Sequence, residues 1–247
     1  MRVVAESAVR FWKTMEKNEL LGKSVEVTRR QFPNLYETVV DCADRLDIAP
    51  PAVYVSQSNR LNAGTYGTET EAFIVLNSGL VDRFDRDELE FVIGHECGRL
   101  QNNHVVYATA AEFLAQGVGS FVRWAVAPAK MALSAWSRRG EITCDRAGLL
   151  CCRDADVAYR VIMKLAVGSD DLMEEVDIDE YMNQLDDLQS GLGRFREYFE
   201  DHPYLPKRVE AMRLFVDSSY YRNVIGERDG RALDEVDREV EELVKVL

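Results

Sequence analysis

Apolar side chains at Leu35, Val39, Ala43 and Leu46 recur every three or four residues, which predicts a helix opening at Pro33 and keeping one face buried. Pro50 and Pro51 stop it. Upstream, residues 5–21 also carry a helical pattern. The period then shortens. Val53 to Val55 and AFIVL at Ala72 to Leu76 read as short strands, with a turn-rich NAGTYG segment at Asn62 to Gly67 between them and Asn77, Ser78 and Gly79 closing the second. A small sheet is expected over this stretch. Next, Asp85 followed by Glu88 has the spacing of a capping box, and Leu89, Ile93, Cys97 and Leu100 continue at helical spacing. Nearly everything after that helix is helical in pattern: 106–125, 129–152, 155–166, 178–190, 194–200, 206–217 and 233–247. The fold class expected is mainly α with a small β-sheet. Residues 1–217 read as one domain, made of N-terminal helices over 1–50, the sheet and capped helix over 51–105, and a helical remainder over 106–217. Residues 218–232 look like a polar surface connection to the last helix.

That last helix places Leu233, Val236, Val240, Leu243 and Leu247 on one stripe, with acidic residues outside it. Two heptads are marginal for an independent coiled coil, so docking on its own domain is the expected use and self-association through 233–247 the alternative. The stretch 105–136 is the most apolar, yet Glu112, Gln116, Arg123 and Lys130 leave no run of about 18 apolar residues. It reads as a pair of buried helices broken near Pro128 rather than as a membrane contact.

Composition narrows the class of function. With 247 residues, 47% of them apolar, there is enough chain for one sizeable core. A net charge of −13 argues against nucleic acid or an anionic membrane as the main partner. The five cysteines are odd in number and form no CxxC pair, which fits reduced thiols and a cytoplasmic setting. The opening MRVVAESAVRFWKTMEK lacks a long apolar run and a small-residue cleavage site, so no secretory leader is expected.

The chemistry concentrates in GHECGRLQNNH at 94–104. In the zinc-peptidase pattern HExxH, two histidines four apart share one helical face and hold Zn²⁺, while the glutamate between them acts as general base. Here His95 and Glu96 are in place, but Arg99 stands where the second histidine belongs. A guanidinium offers only donors and stays charged, so it cannot ligate a cation. His104 is nine residues beyond His95, about half a turn away around the helix, and is a poor replacement. Cys97 lies roughly 200° from His95 around the same helix, so the two cannot work as nucleophile and base.

A third ligand would come from another element, and Glu141 in SRRGEITCDRAG is the candidate, with Asp145 one turn later to orient the ligand histidine. The succession of short strand, NAxxxG, strand, DELxxVIGHExG helix, SRxxExxxDRAG and HPxxxxR resembles the soluble relatives of the HtpX and CAAX-prenyl-endopeptidase zinc metallopeptidases, the gluzincins, over roughly residues 30–216. The resemblance implies a zincin-like fold, with the active-site helix after a short mixed sheet, and endopeptidase action on a flexible polypeptide. Residue by residue it makes His95 and Glu141 metal ligands, Glu96 the general base and Asp145 the partner of a ligand histidine. His202 and Arg208 would lie near the metal as oxyanion or carboxylate partners. The strand Ala72 to Leu76 or the adjoining NAGTYG segment, with Asn62, Ala63 and Gly64 the residues named for it, would be the edge along which substrate lies. Arg99 departs from the pattern and predicts a site with little or no zinc, its guanidinium paired with Glu141 or Glu96. The alternative is a natural pseudopeptidase that binds polypeptides or a partner without cutting them.

Overall fold

The computed structural model describes residues 22–66, 72–102, 123–173, 175–188 and 203–245. The sequence-predicted helices at 5–21 and 194–200, most of 106–125, and both His104 and His202 lie outside those residues.

Four strands, β1 (Ser24–Glu26), β2 (Ala52–Ser56), β3 (Ala63–Tyr66) and β4 (Phe73–Asn77), form a mixed sheet in the order β1-β2-β4-β3 among the described residues. β4 pairs parallel with β2 and antiparallel with β3, and β1 lies antiparallel on β2. Central β4 is buried on both faces, from Phe73 to Leu76, as its unbroken apolar run requires. Within the turn-rich NAGTYG segment, Ala63–Tyr66 form β3, the edge of the sheet among the described residues. Gly64 leaves room for the Tyr66 ring, which folds back over it and stacks on Phe73 at 6.0 Å. Glycine content points to turns when read alone, whereas here the missing side chain is filled by an aromatic neighbour.

Helix α1 (Pro33–Arg45) buries Leu35, Val39, Cys42 and Ala43, the face expected from its spacing. The Ser78–Gly79 boundary after β4 is itself the start of a short helix, α2 (Ser78–Arg83). α3 (Arg86–Gln101) opens with the capping box: Glu88 N–H donates to Asp85 Oδ1 at 2.9 Å, and Asp85 N–H donates to Glu88 Oε2 at 3.1 Å. From Glu88 to Gly98 every residue of α3 is buried, so the helix is surrounded rather than lying on the surface with one apolar stripe.

α4 runs from Arg123 to Cys152 without interruption at Pro128, against the expected break. Proline removes one N–H and crowds the carbonyl four residues back, at a cost of about 3 kcal/mol. Here that loss falls near the first described turn of a 30-residue helix whose later turns pack on α3. α5 (Ala155–Val167), α6 (Asp170–Met173), α7 (Ile178–Leu188), α8 (Leu205–Val216), α9 (Ser219–Val224) and α10 (Leu233–Val244) follow. The connection at 218–232 is mostly exposed, as its polarity suggests, but it contains α9, anchored by buried Ser218, which caps the helix, and buried Tyr221. The stripe of α10 docks within the chain: Val236, Val240 and Val244 pack with Ile142 of α4 and Ala211 of α8. Among the described residues no helix is long and apolar enough to cross a membrane.

α3 and α4 cross at a distance set by glycine. A Cβ on Gly148 would lie 2.7 Å from the carbonyl oxygen of Phe91, and one on Gly94 would lie 2.6 Å from Cys151 Sγ. Gly98 faces Ala147 and Cys144 in the same way. Gly148→Ala is accordingly expected to destabilise the protein by up to about 3 kcal/mol, since backbone cannot rotate aside, and this exceeds the helix-propensity gain of about 1 kcal/mol. Urea unfolding of this variant beside Gly22→Ala, where nothing lies within 4 Å of the added Cβ, measures the difference.

Candidate metal centre

The crossing brings the second half of α4 against the motif turn of α3. His95, Glu96 and Arg99 face Glu141 and Asp145, and all but Arg99 are buried. Asp145, with no exposed surface, accepts from His95 Nδ1 at 2.9 Å. From α8, where Pro206 sits in the first turn, Arg208 reaches the same carboxylate with two hydrogen bonds, Nε to Oδ2 at 2.8 Å and Nη2 to Oδ1 at 2.5 Å. Burial alone would raise the Asp145 pKa. The Arg208 guanidinium and His95 outweigh it and hold the carboxyl below its ordinary range.

Arg99 fills the centre. Its Nε donates to His95 Nε2 at 3.2 Å, its Nη2 donates to Glu141 Oε1 at 2.6 Å, and its Nε lies 3.8 Å from Glu96 Oε1. Burial disfavours the charged guanidinium, but Glu96 and Glu141 more than compensate and push its pKa above the usual arginine value. Because an arginine N–H can only donate, His95 Nε2 must accept, which leaves the ring proton on Nδ1, facing Asp145. The Nε2 lone pair, the one a metal would take, is committed to Arg99.

Zinc does not fit this donor set. His95 Nε2 and Glu141 Oε2 stand 3.6 Å apart, close to the roughly 3.4 Å that two ligands of one tetrahedral zinc would show. Nevertheless, they are two donors where three are needed, and a fixed cation lies between them. Two unit charges about 4 Å apart at an effective dielectric near 20 interact by about 4 kcal/mol, and a divalent ion doubles the repulsion. Among the described residues no three His, Cys, Asp or Glu side chains converge as a metal-binding group. Cys144, the nearest thiol on α4, is no substitute: burial pushes it well above the ordinary thiol range, far from the thiolate a metal requires.

On the far side of Glu96 stands β3. Thr65 Oγ1 donates to Glu96 Oε2 at 2.6 Å and lies 3.3 Å from the Glu96 carbonyl oxygen. Asn77 N–H donates to the Asn62 carbonyl at 3.0 Å, which makes Asn62 and Asn77 a hydrogen-bonded pair of the β3–β4 ladder. Antiparallel pairs alternate, so Gly64 and Tyr66 also turn their backbone groups toward β4, while Ala63 and Thr65 turn theirs to the open edge. Of the three residues assigned to that edge from sequence, Ala63 alone presents its backbone outward. Thr65 lies within the NAGTYG segment read as an edge, but its contact with Glu96 follows only from the register. Of the other sequence-derived site residues, His95, Glu96, Arg99, Glu141, Asp145 and Arg208 come together. His202 lies outside the described residues.

The match to known proteins covers the same elements. The model for peptidase family M48 aligns with residues 29–215. The chain belongs to that family. Among its M48 relatives is the plastoglobule-localized metallopeptidase 48 of Arabidopsis thaliana chloroplasts, 35% identical over 170 residues, which are 67% of this chain and 49% of that protein. Another is a protease HtpX homolog of Streptococcus uberis, 34% identical over 111 residues, 42% of this chain and 37% of that one. A second HtpX homolog, from Thermococcus kodakarensis, is 33% identical over 100 residues, 40% of this chain and 34% of its own. The matches thus span about half or less of the length of these relatives. M48 peptidases are zinc-dependent in general. This M48 chain therefore carries a protease scaffold, and at the motif turn of α3 Arg99 bridges His95 and Glu141.

Removal of Arg208 tests how the centre is held. Arg208→Met leaves a buried carboxylate without its cation and is expected to cost about 3–5 kcal/mol at pH 7. Because the folded pKa of Asp145 is depressed, its contribution is present above the unfolded value of about 3.9 and fades as pH falls through the lower folded value. The gap between the two proteins should therefore narrow below about pH 4. Denaturant titrations at pH 7, 5 and 3.5 read both the cost and its pH dependence.

Proposed function

We propose that this chain is an M48 metalloendopeptidase scaffold silenced at one ligand, which engages extended polypeptide and does not hydrolyse it. The observation that carries the reading is the Arg99 guanidinium between His95 Nε2 and Glu141, where it supplies one positive charge and blocks the donors that zinc would need. The remaining machinery supports a polypeptide partner. Glu96 is held by Thr65, Asp145 orients His95, and edge strand β3 turns two residues of backbone outward beside them. Pairing to a strand edge reads backbone and tolerates varied side chains, so the partner class is extended or unfolded polypeptide rather than one sequence. The free thiols fit the reducing interior of a cell.

Zinc content and cleavage of unfolded casein, measured for this protein beside Arg99→His, test the reading. The expected outcome is no zinc and no cleavage in the parent, with stoichiometric zinc and cleavage in Arg99→His. Stoichiometric zinc and cleavage by the parent would overturn it. No metal in either protein would leave the parent a non-hydrolytic binder and remove the claim that a single ligand accounts for the silence.

A further inference from the structure

Arg99 has five N–H donors, and its hydrogen bonds among the described residues do not use them all. Nε goes to His95 and Nη2 to Glu141, while Nη1 makes no hydrogen bond among the described residues. The side chain is 25% exposed, unlike the buried His95, Glu96 and Glu141 around it. Glu96 joins it to the sheet: Oε1 is 3.8 Å from Arg99 Nε, and Oε2 accepts from Thr65 of β3. Among the described residues, a charged donor with an N–H to spare thus stands across one carboxylate from a strand whose Ala63 and Thr65 turn N–H and C=O away from β4, with no described backbone partner on that side.

We propose that Arg99 anchors bound polypeptide: a segment adding to β3 as a further antiparallel strand exchanges hydrogen bonds with Ala63 and Thr65 and gives one of its carbonyl oxygens to Arg99 Nη1. This deepens the polypeptide-binding reading and rests on it. The chemistry required of the ligand is an extended backbone with a carbonyl turned toward α3. A guanidinium meets that carbonyl with a charge-assisted hydrogen bond and no dependence on a metal. Hydrolysis does not follow, because the guanidinium delivers no water to the carbonyl carbon. The same side chain that shuts out zinc becomes the ligand's polar anchor.

Fluorescence anisotropy with fluorescein-labelled casein, in the presence of EDTA, tests this on the full chain. Saturable binding by the parent is expected. Ala63→Pro removes one outward N–H at an edge position where proline is tolerated and should weaken binding about tenfold. Arg99→Met should weaken it by a similar factor, since a hydrogen bond from a charged group is lost. Far-UV circular dichroism and thermal unfolding check the fold of each variant. Arg99→Lys, which keeps a cation for Glu141 but spends its compact ammonium there, gives the answer if Arg99→Met fails to fold, and should also bind about tenfold more weakly. If Ala63→Pro weakens binding while the folded Arg99 variants bind like the parent, the anchoring role is overturned and the strand-edge reading stands. If the parent shows no saturable binding, the polypeptide-binding reading fails together with this inference.

Discussion

The chemistry of this molecule depends on how closely α3 and α4 cross. Glycine at 94, 98 and 148 removes the side chains that would keep the two backbones apart, to the point that a Cβ at Gly148 would meet the Phe91 carbonyl at 2.7 Å. Close-packed interiors pass such spacing along rigidly. Glu141 and Asp145 project from α4 about two turns and one turn before Gly148, and at this spacing they meet Arg99 and His95 directly. With an ordinary crossing distance the same residues would be neighbouring helix faces with solvent between them, and their charges would be worth little.

Once drawn together, three carboxylates and two guanidinium groups must satisfy one another away from water. Asp145 is the most demanding member, being fully buried, and it is answered by two hydrogen bonds from Arg208 and one from His95. Arg99 balances Glu141 and Glu96 in turn. Three carboxylates against two guanidinium groups leave one net negative charge beside a neutral His95, and hydrogen bonds from Arg99, Arg208 and Thr65 hold that cluster without an ion. Thr65 adds a link of a different kind: by holding Glu96 it ties the open edge of the sheet to the helix that carries the motif.

How much of this could be read from the chain depends on the range of the interaction. The capping box at Asp85 and Glu88, the helix from Pro33 and the strands at 53–55 and 72–76 are short-range patterns, and the structure contains them. So are His95, Glu96 and Arg99, one helical turn on a single face. The pairing of Arg99 with Glu141 was legible as well, because a guanidinium in a ligand's place has few other partners. What local pattern misrepresents is whatever a distant neighbour decides. The bounds of a strand within turn-rich NAGTYG are fixed only once β4 pairs with it and Tyr66 covers Gly64. Pro128 reads as a break until the rest of α4 packs. The polar run 218–232 hides α9, because its buried Tyr221 finds its ring neighbour in Phe215 of α8. Outward exposure of Ala63 and Thr65, against the inward turn of Asn62 and Gly64, follows from strand register, which composition does not encode.

Arginine in place of a ligand histidine is more than a deletion. An alanine there would leave His95, Glu96 and Glu141 facing one another without a cation, two carboxylates at close range in a largely dry site, and such a cluster is expensive to bury. A guanidinium removes that conflict. It is planar, permanently charged and able to donate in several directions at once, so it can hold Glu141 and His95 in the positions from which both point at a common centre. It also reverses the polarity of the chemistry. A metal accepts lone pairs and activates water, whereas a guanidinium donates hydrogen bonds and leaves water unactivated. With arginine at its centre, the same constellation is thereby equipped to donate hydrogen bonds rather than to activate water.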